Sequence, residues 1–216
     1  MKRMIAPSLL AADFMNLKRD VEMINQSEAD WLHLDIMDGV FVPNISFGFS
    51  VLDKLKEVST KPLDVHLMIV EPQKFIQEVA AAGAYIMNVH YEACVHLNRT
   101  VAAIKNAGMK AAVTLNPHTS ISLLEDILPE LEMVLLMSVN PGFGAQTFIE
   151  HSVEKTARLR HMIDGKGLQT LIQVDGGVNM KTAGRLFAAG ADVLVAGNSI
   201  FNSADPVQTI KELKSL

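Results

Sequence analysis

Cysteine is all but missing from this chain: Cys94 is the only one among 216 residues. A lone thiol excludes an internal disulfide framework. It fits a reducing compartment, with Cys94 acting as an ordinary small hydrophobe. An excess of basic charge is also missing. Nineteen Lys and Arg against 24 Asp and Glu give a formal net charge of −5, and the cations are scattered. No stripe exists for a phosphate backbone, so no nucleic-acid partner is expected. No window approaches the roughly 18 apolar residues of a membrane span. Lys2 and Arg3 do precede an apolar stretch, but Pro7 and Ser8 interrupt it and Asp13 ends it early, unlike a signal peptide. We therefore expect no membrane association and a cytoplasmic protein. No Gly-x-Gly-x-x-Gly follows the first apolar run, which counts against a dinucleotide fold. No linker or low-complexity stretch divides the chain, so residues 1–216 are expected to form one domain.

What is present is a regular alternation. Strand-like apolar runs recur at Ile5–Leu9, Trp31–Ile36, Leu63–Met68, Ile86–His90, Lys110–Leu115, Met133–Ser138, Leu171–Val174 and Val193–Ala196. Between them lie segments with 3.6-residue periodicity, such as 72–82 and 152–163, and Gly83, Gly108 and Gly190 stand where helices should stop. Continuous apolar strands suit a parallel sheet covered on both faces. Eight βα units predict an α/β protein with a closed (β/α)8 (TIM) barrel, the open doubly wound sheet being the runner-up. "AAGAYIMNVH" at 81–90 resembles "AAGADVLVAG" at 188–197, four units on. This is either a trace of duplicated halves or a shared helix-to-strand turn.

Barrel chemistry sits at the C-terminal ends of the strands, and those ends are unusually polar here. His33, Asp35 and Met37 alternate along the second run, so they share a face; His66 and Met68 do the same on the third. Unpaired charge is costly to bury. His33, Asp35, His66 and Asp175 converging at one mouth would form a mixed N/O set suited to one divalent cation, Zn, Fe(II), Mn or Co. Asp38 with Gly39 reads as a turn. His90 and Glu92 are secondary, since four ligands are complete without them. Met37, Met68 and Met137 are either core filler or an apolar wall that excludes water. Three glycine loops follow late strands: Gly142 and Gly144, then Gly176 and Gly177, then Gly197 with Asn198 and Ser199. Glycine lets backbone N–H groups approach an anion, and barrels often hold phosphate in such loops. A phosphorylated ligand is the expectation.

"IAPSLLAADF", "HLDIMDGVFVPN", "DVHLMI", "LNP", "SVNPGFGAQ", "VDGGVN" and "AGNSIF", in that order across nearly the whole chain, resemble the ribulose-phosphate 3-epimerase family. The resemblance implies a (β/α)8 isomerase of the pentose phosphate pathway. Such an enzyme interconverts D-ribulose 5-phosphate and D-xylulose 5-phosphate with one divalent metal. It implies His33, Asp35, His66 and Asp175 as ligands, Asp35 and Asp175 as the acid/base pair, and Ser8 and His66 as substrate contacts. It implies Gly142, Phe143, Gly144, Ala145, Gly176, Gly177, Gly197 and Asn198 around the phosphate. The alternatives are a 3-epimerase of D-allulose 6-phosphate, a metal-free decarboxylase on a related barrel, or a sugar-phosphate binding protein without turnover. Barrels of this type often associate, so a homo-oligomer is expected. Two departures stand out. The family usually has glycine at Ala145, which would cost roughly 1 kcal/mol if φ there is positive. It often has alanine at Ser199, whose hydroxyl could serve a phosphate.

Overall fold

The computed structural model describes residues 3–216; Met1 and Lys2, and with Lys2 part of the basic start weighed above, lie outside the described residues. Eight strands run in parallel: β1 (Met4–Pro7), β2 (Leu32–Met37), β3 (Leu63–Met68), β4 (Ile86–His90), β5 (Lys110–Leu115), β6 (Met133–Met137), β7 (Leu171–Asp175) and β8 (Val193–Ala196). Their order is β1-β8-β7-β6-β5-β4-β3-β2. A parallel bridge between Ser8 and His33 brings the two ends together. Asp30 reinforces that seam: its carboxylate accepts from the Ile5 N–H and its own N–H donates to the Ile5 carbonyl, both at 2.9 Å. An open sheet would leave β1 and β2 as free edges. Here they meet, and the fold is the (β/α)8 barrel.

The first strand ends sooner than its apolar run. Pro7 is its last residue, and the Ser8 hydroxyl then caps a 3-10 turn over Leu9–Ala11 by accepting from the Leu10 N–H. Helices α1 (Leu17–Gln26), α2 (Phe49–Val58), α3 (Ile76–Ala81), α4 (Leu97–Asn106), α5 (His151–Gly165), α6 (Ala183–Ala188), α7 (Asn198–Phe201) and α8 (Pro206–Ser215) surround the ring. The 72–82 segment begins as a 3-10 turn before α3, with Pro72 at its first position. The crossover from β5 to β6 contains 3-10 turns at Ile121–Leu124 and Leu128–Glu130 in place of an α-helix. Pro129 lacks an N–H, and its ring would strike the carbonyl four residues back in a continuous helix.

The alternation of side chains builds two apolar layers. Leu32, Leu34, Ile36, Leu63, Val65 and Leu67 point outward and pack with Val21, Ile24, Leu52 and Leu55 of the helices. Inside the ring, Ala6, Trp31, Ile86, Ala112, Met133, Leu135, Val193 and Val195 form a second cluster. The upper interior is polar. The repeated Gly-Ala stretches occupy equivalent places before β4 and β8. At each, the glycine has positive φ and donates back into its helix, Gly83 to Ala80 and Gly190 to Phe187. The next residue donates five positions back, Ala84 to Val79 and Ala191 to Leu186. Gly108 and Gly167 close their helices in the same way. The recurrence of this helix stop accounts for the shared Gly-Ala turn without invoking duplication.

Candidate metal centre and active site

Strand register decides which polar side chains meet. β2 and β3 pair with His33 beside Asp64 and Asp35 beside His66, while β6 and β7 set Met137 beside Asp175. Ligand atoms of His33, Asp35, His66 and Asp175 come to lie within 4.8 Å of one another. His66 Nδ1 is 3.0 Å from Asp35 Oδ1 and 4.0 Å from Asp175 Oδ2. His33 Nε2 is 3.2 Å from the same Asp35 oxygen and 3.9 Å from Asp175 Oδ2. Both imidazoles are fully buried. Yet His33 Nε2 makes no hydrogen bond, because its short approach to Asp35 is misdirected. A buried nitrogen aimed at two carboxylates without bonding either is what a cation between them would satisfy. The donor set, two imidazole nitrogens and two carboxylates, fits a borderline divalent ion.

The electrostatics point the same way. Burial alone would remove the proton from His33, but the charges of Asp64 and Asp35 outweigh it and raise its pKa well above the histidine norm. Burial would likewise raise Asp35; the charge of the neighbouring His33 instead holds it below the usual carboxylate range. Asp175 lacks such partners. Burial, then the Asp35 charge, push its carboxyl up to about 7. Two neighbouring carboxyls are thus driven to opposite protonation states near neutral pH.

Above the cluster opens a cavity of about 270 Å³ lined by Ser8, Asp35, Met37, Met68, Met137 and Asp175 together with all three glycine loops. That volume lies near the lower end for small-molecule sites, ~300 Å³. The Ser8 hydroxyl donates to Asp35 Oδ2 at 2.5 Å. The three methionines line the cavity and are at least 96% buried, which makes them its apolar wall. His66, expected to touch substrate, lies with His33 behind this lining. Asp38 is structural: its carboxylate accepts from the N–H groups of Val40, Phe41 and Val70.

The glycine loops are shaped by close packing. At Gly177 (φ +63°) an added Cβ would lie 2.9 Å from Phe148 Cβ and 3.0 Å from its Cα; at Gly176 (φ +117°) it would meet the Val139 backbone nitrogen at 2.9 Å. Neither site admits a side chain, so backbone lines the cavity there. Ala145 has φ +58°, so its methyl stands where the left-handed conformation costs roughly 1 kcal/mol. Ala145→Gly is expected to raise unfolding free energy by about 1 kcal/mol, read as a higher denaturant midpoint at unchanged slope. The Ser199 hydroxyl donates to the Val178 carbonyl at 2.8 Å, so its proton is already committed.

Sequence reasoning missed the group beneath the cluster. Asp64 accepts from Asn88 Nδ2 and Gln173 Nε2, each at 2.6 Å, and faces His33 Nδ1 at 2.7 Å. This carboxylate fixes the His33 ring by its Nδ1, with Nε2 turned to the cluster. The signal was present, since Asp64 alternates with His66 and Met68 and shares their face.

Comparison with known proteins completes the description. The model of the "Ribulose-phosphate 3 epimerase family" matches residues 4–201. The Ribulose-phosphate 3-epimerase of Bacillus subtilis is 46% identical over 97% of both chains. The chloroplastic Ribulose-5-phosphate-3-epimerase of Arabidopsis thaliana is 47% identical over 98% of this chain and 76% of its own. An orotidine 5'-phosphate decarboxylase from Pyrococcus horikoshii superposes with a TM-score of 0.70 over 98% of each chain at 16% identity, a likeness of fold alone. With its model spanning nearly the whole barrel and such relatives aligned over at least 97% of this chain, the chain belongs to the ribulose-phosphate 3-epimerase family.

Proposed function

We propose that the chain epimerises D-ribulose 5-phosphate at C3 to D-xylulose 5-phosphate, with Asp35 and Asp175 exchanging the proton. The carrying observation is the pair of adjacent carboxyls held in opposite protonation states at the floor of a cavity rimmed by glycine loops. Inverting a carbon beside a ketone requires a proton taken from one face and returned on the other. Asp35, kept ionised by the His33 charge and the Ser8 hydroxyl, accepts the C3 proton in one direction; protonated Asp175 delivers one to the opposite face. The roles reverse for the back reaction. Positioned acid/base groups each contribute ~10²–10⁴-fold. The backbone of residues 142–145, 176–177 and 197–198 holds the phosphate, and Met37, Met68 and Met137 keep water from the carbanionic intermediate.

His33 Nε2, His66 Nδ1, Asp35 and Asp175 would hold one divalent cation, Zn, Fe(II), Mn or Co. Its chemistry is Lewis-acid stabilisation of the negative charge that develops on the substrate's oxygens. The reading carries a pH dependence. Burial opposes charge on His33, but the Asp64 and Asp35 charges outweigh it and keep the ring protonated in the metal-free protein, so a cation at Nε2 must displace that proton. Apparent metal affinity is therefore expected to fall at least tenfold per pH unit below 7. Zinc titrations against a competing chelator between pH 5.5 and 7 check this; a flat profile contradicts it.

The half-buried lone Cys94 fits a reducing, cytoplasmic setting, and no described helix is long and apolar enough to cross a membrane. Exposed Met15, Val40, Ile45 and Val95 support association between copies. The function itself is tested by incubating purified protein with D-ribulose 5-phosphate, before and after chelation and metal restoration. Xylulose 5-phosphate should appear, stop on chelation and return with metal. No turnover with any of the four metals would overturn the assignment.

A further inference from the structure

Behind His66 runs a chain of contacts that the proposed reaction does not use. His66 Nε2 lies 2.9 Å from His90 Nε2, both rings are fully buried, and they stack with centroids 5.0 Å apart. His90 Nδ1 lies 3.3 Å from Glu92 Oε2. The other Glu92 oxygen accepts from the Asn116 N–H at 3.0 Å and from the Thr119 hydroxyl. Glu92, in the turn after β4, is thus anchored to the loop after β5, with one oxygen turned to His90.

We propose that Glu92 and His90 are positioning residues that set the tautomer of His66 and so hold its Nδ1 open for the metal. The inference rests on the reading of His66 as a metal ligand. The logic follows from where protons can stand. A carboxylate only accepts, so His90 must carry its hydrogen on Nδ1 to bond Glu92. Its Nε2 then has a lone pair and accepts. That pair faces His66 Nε2, which must therefore donate. With its hydrogen on Nε2, His66 presents a bare Nδ1 to the cluster, 3.0 Å from Asp35. Each ligand imidazole thereby ends on a carboxylate, His33 directly on Asp64 and His66 through one further ring on Glu92. The negative charge at the end of each arm makes the ligand nitrogen more basic.

This relay makes an isosteric change more damaging than a truncation. In Glu92→Gln the amide oxygen can still accept from Asn116 and Thr119, which turns the NH2 toward His90 Nδ1. His90 must then accept at Nδ1 and carry its hydrogen on Nε2. That hydrogen confronts His66 Nε2, and the conflict is relieved only by moving the His66 hydrogen to Nδ1, the atom the metal needs. Glu92→Ala imposes no tautomer, although it removes both anchors of the β5 loop. A purely structural Glu92 would give the opposite order, with alanine worse.

The experiment measures zinc affinity of the wild type, Glu92→Gln, Glu92→Ala and His66→Asn by chelator competition, with thermal unfolding of each metal-free protein as a control for folding. The expected result is one zinc per chain in the wild type. Its dissociation constant should rise 10–100-fold in Glu92→Gln and by less in Glu92→Ala. Equal affinity in wild type and Glu92→Gln, or a weaker Glu92→Ala than Glu92→Gln, overturns the relay while leaving the metal site intact. If the wild type binds no zinc, or His66→Asn binds it unchanged, the ligand reading itself fails, and the relay with it. Should either Glu92 variant fail to fold, the wild type decides. Nitrogen-15 spectra of the zinc-loaded protein must show His90 protonated at Nδ1 and bare at Nε2, with His66 the reverse; the opposite His90 tautomer overturns the proposal.

Discussion

Asp175→Asn is expected to lower turnover by about 10³-fold, within the range for a positioned acid/base group, while the barrel stays folded. Asparagine keeps the shape of the side chain but can neither take nor give the proton. Asp175 is the partly exposed member of the cluster, and none of the described hydrogen bonds to neighbours depends on its carboxylate, so the fold loses little. The variant should also separate the two half-reactions. With Asp35 intact, one epimer should still exchange its C3 hydrogen with deuterated solvent without inverting. Proton NMR of each epimer incubated with the variant in D2O reads this directly. Retention of more than about a tenth of the wild-type rate would contradict the two-carboxylate scheme, whose acid/base groups are each worth ~10²-fold or more.

Asp64→Asn carries the second large effect, from a residue that touches no part of the cavity. The Asp64 carboxylate receives Asn88 Nδ2, Gln173 Nε2 and His33 Nδ1 from three other strands. An amide offers one accepting oxygen where three donors converge, so at least one donor–donor clash follows in a buried site. Leaving such a group unsatisfied costs about 1–3 kcal/mol. The loss of the carboxylate behind His33 should also weaken metal binding 10–100-fold. Denaturant unfolding of the metal-free variant isolates the first effect, and zinc competition measures the second. Unchanged zinc affinity in a destabilised variant would leave Asp64 only a structural role.

How much of this was legible in the sequence depends on what each feature needs. The strands were legible because parallel strands buried on both faces leave continuous apolar runs; β3, β4 and β5 begin and end where those runs do. His33, Asp35 and His66 stood out as polar residues on that background. The fifth crossover misled the alternation rule because Pro129 breaks the helix locally while the chain still spans β5 to β6. Asp64, Asn88 and Gln173 carried the same alternating signal as the ligands but form no recognisable cluster until register brings β3, β4 and β7 together. The relay through His90 was harder still. His90 and Glu92 were visible at a strand end, yet their partners, the His66 Nε2 atom and the loop at Asn116, follow from ring orientation and barrel curvature. The sign of φ at Ala145 was also beyond sequence, since it belongs to the loop's path over the mouth.

The most direct test of the account is the origin of the hydrogen at C3 of the product. Protein with metal restored is incubated with D-ribulose 5-phosphate in D2O, and the first few per cent of conversion is followed by proton NMR. Two carboxylates working from opposite faces predict xylulose 5-phosphate carrying deuterium at C3 from its first appearance, while the remaining substrate still holds protium. Early product that retains the substrate's own C3 protium would contradict the account, because the same group would then have removed and returned the proton.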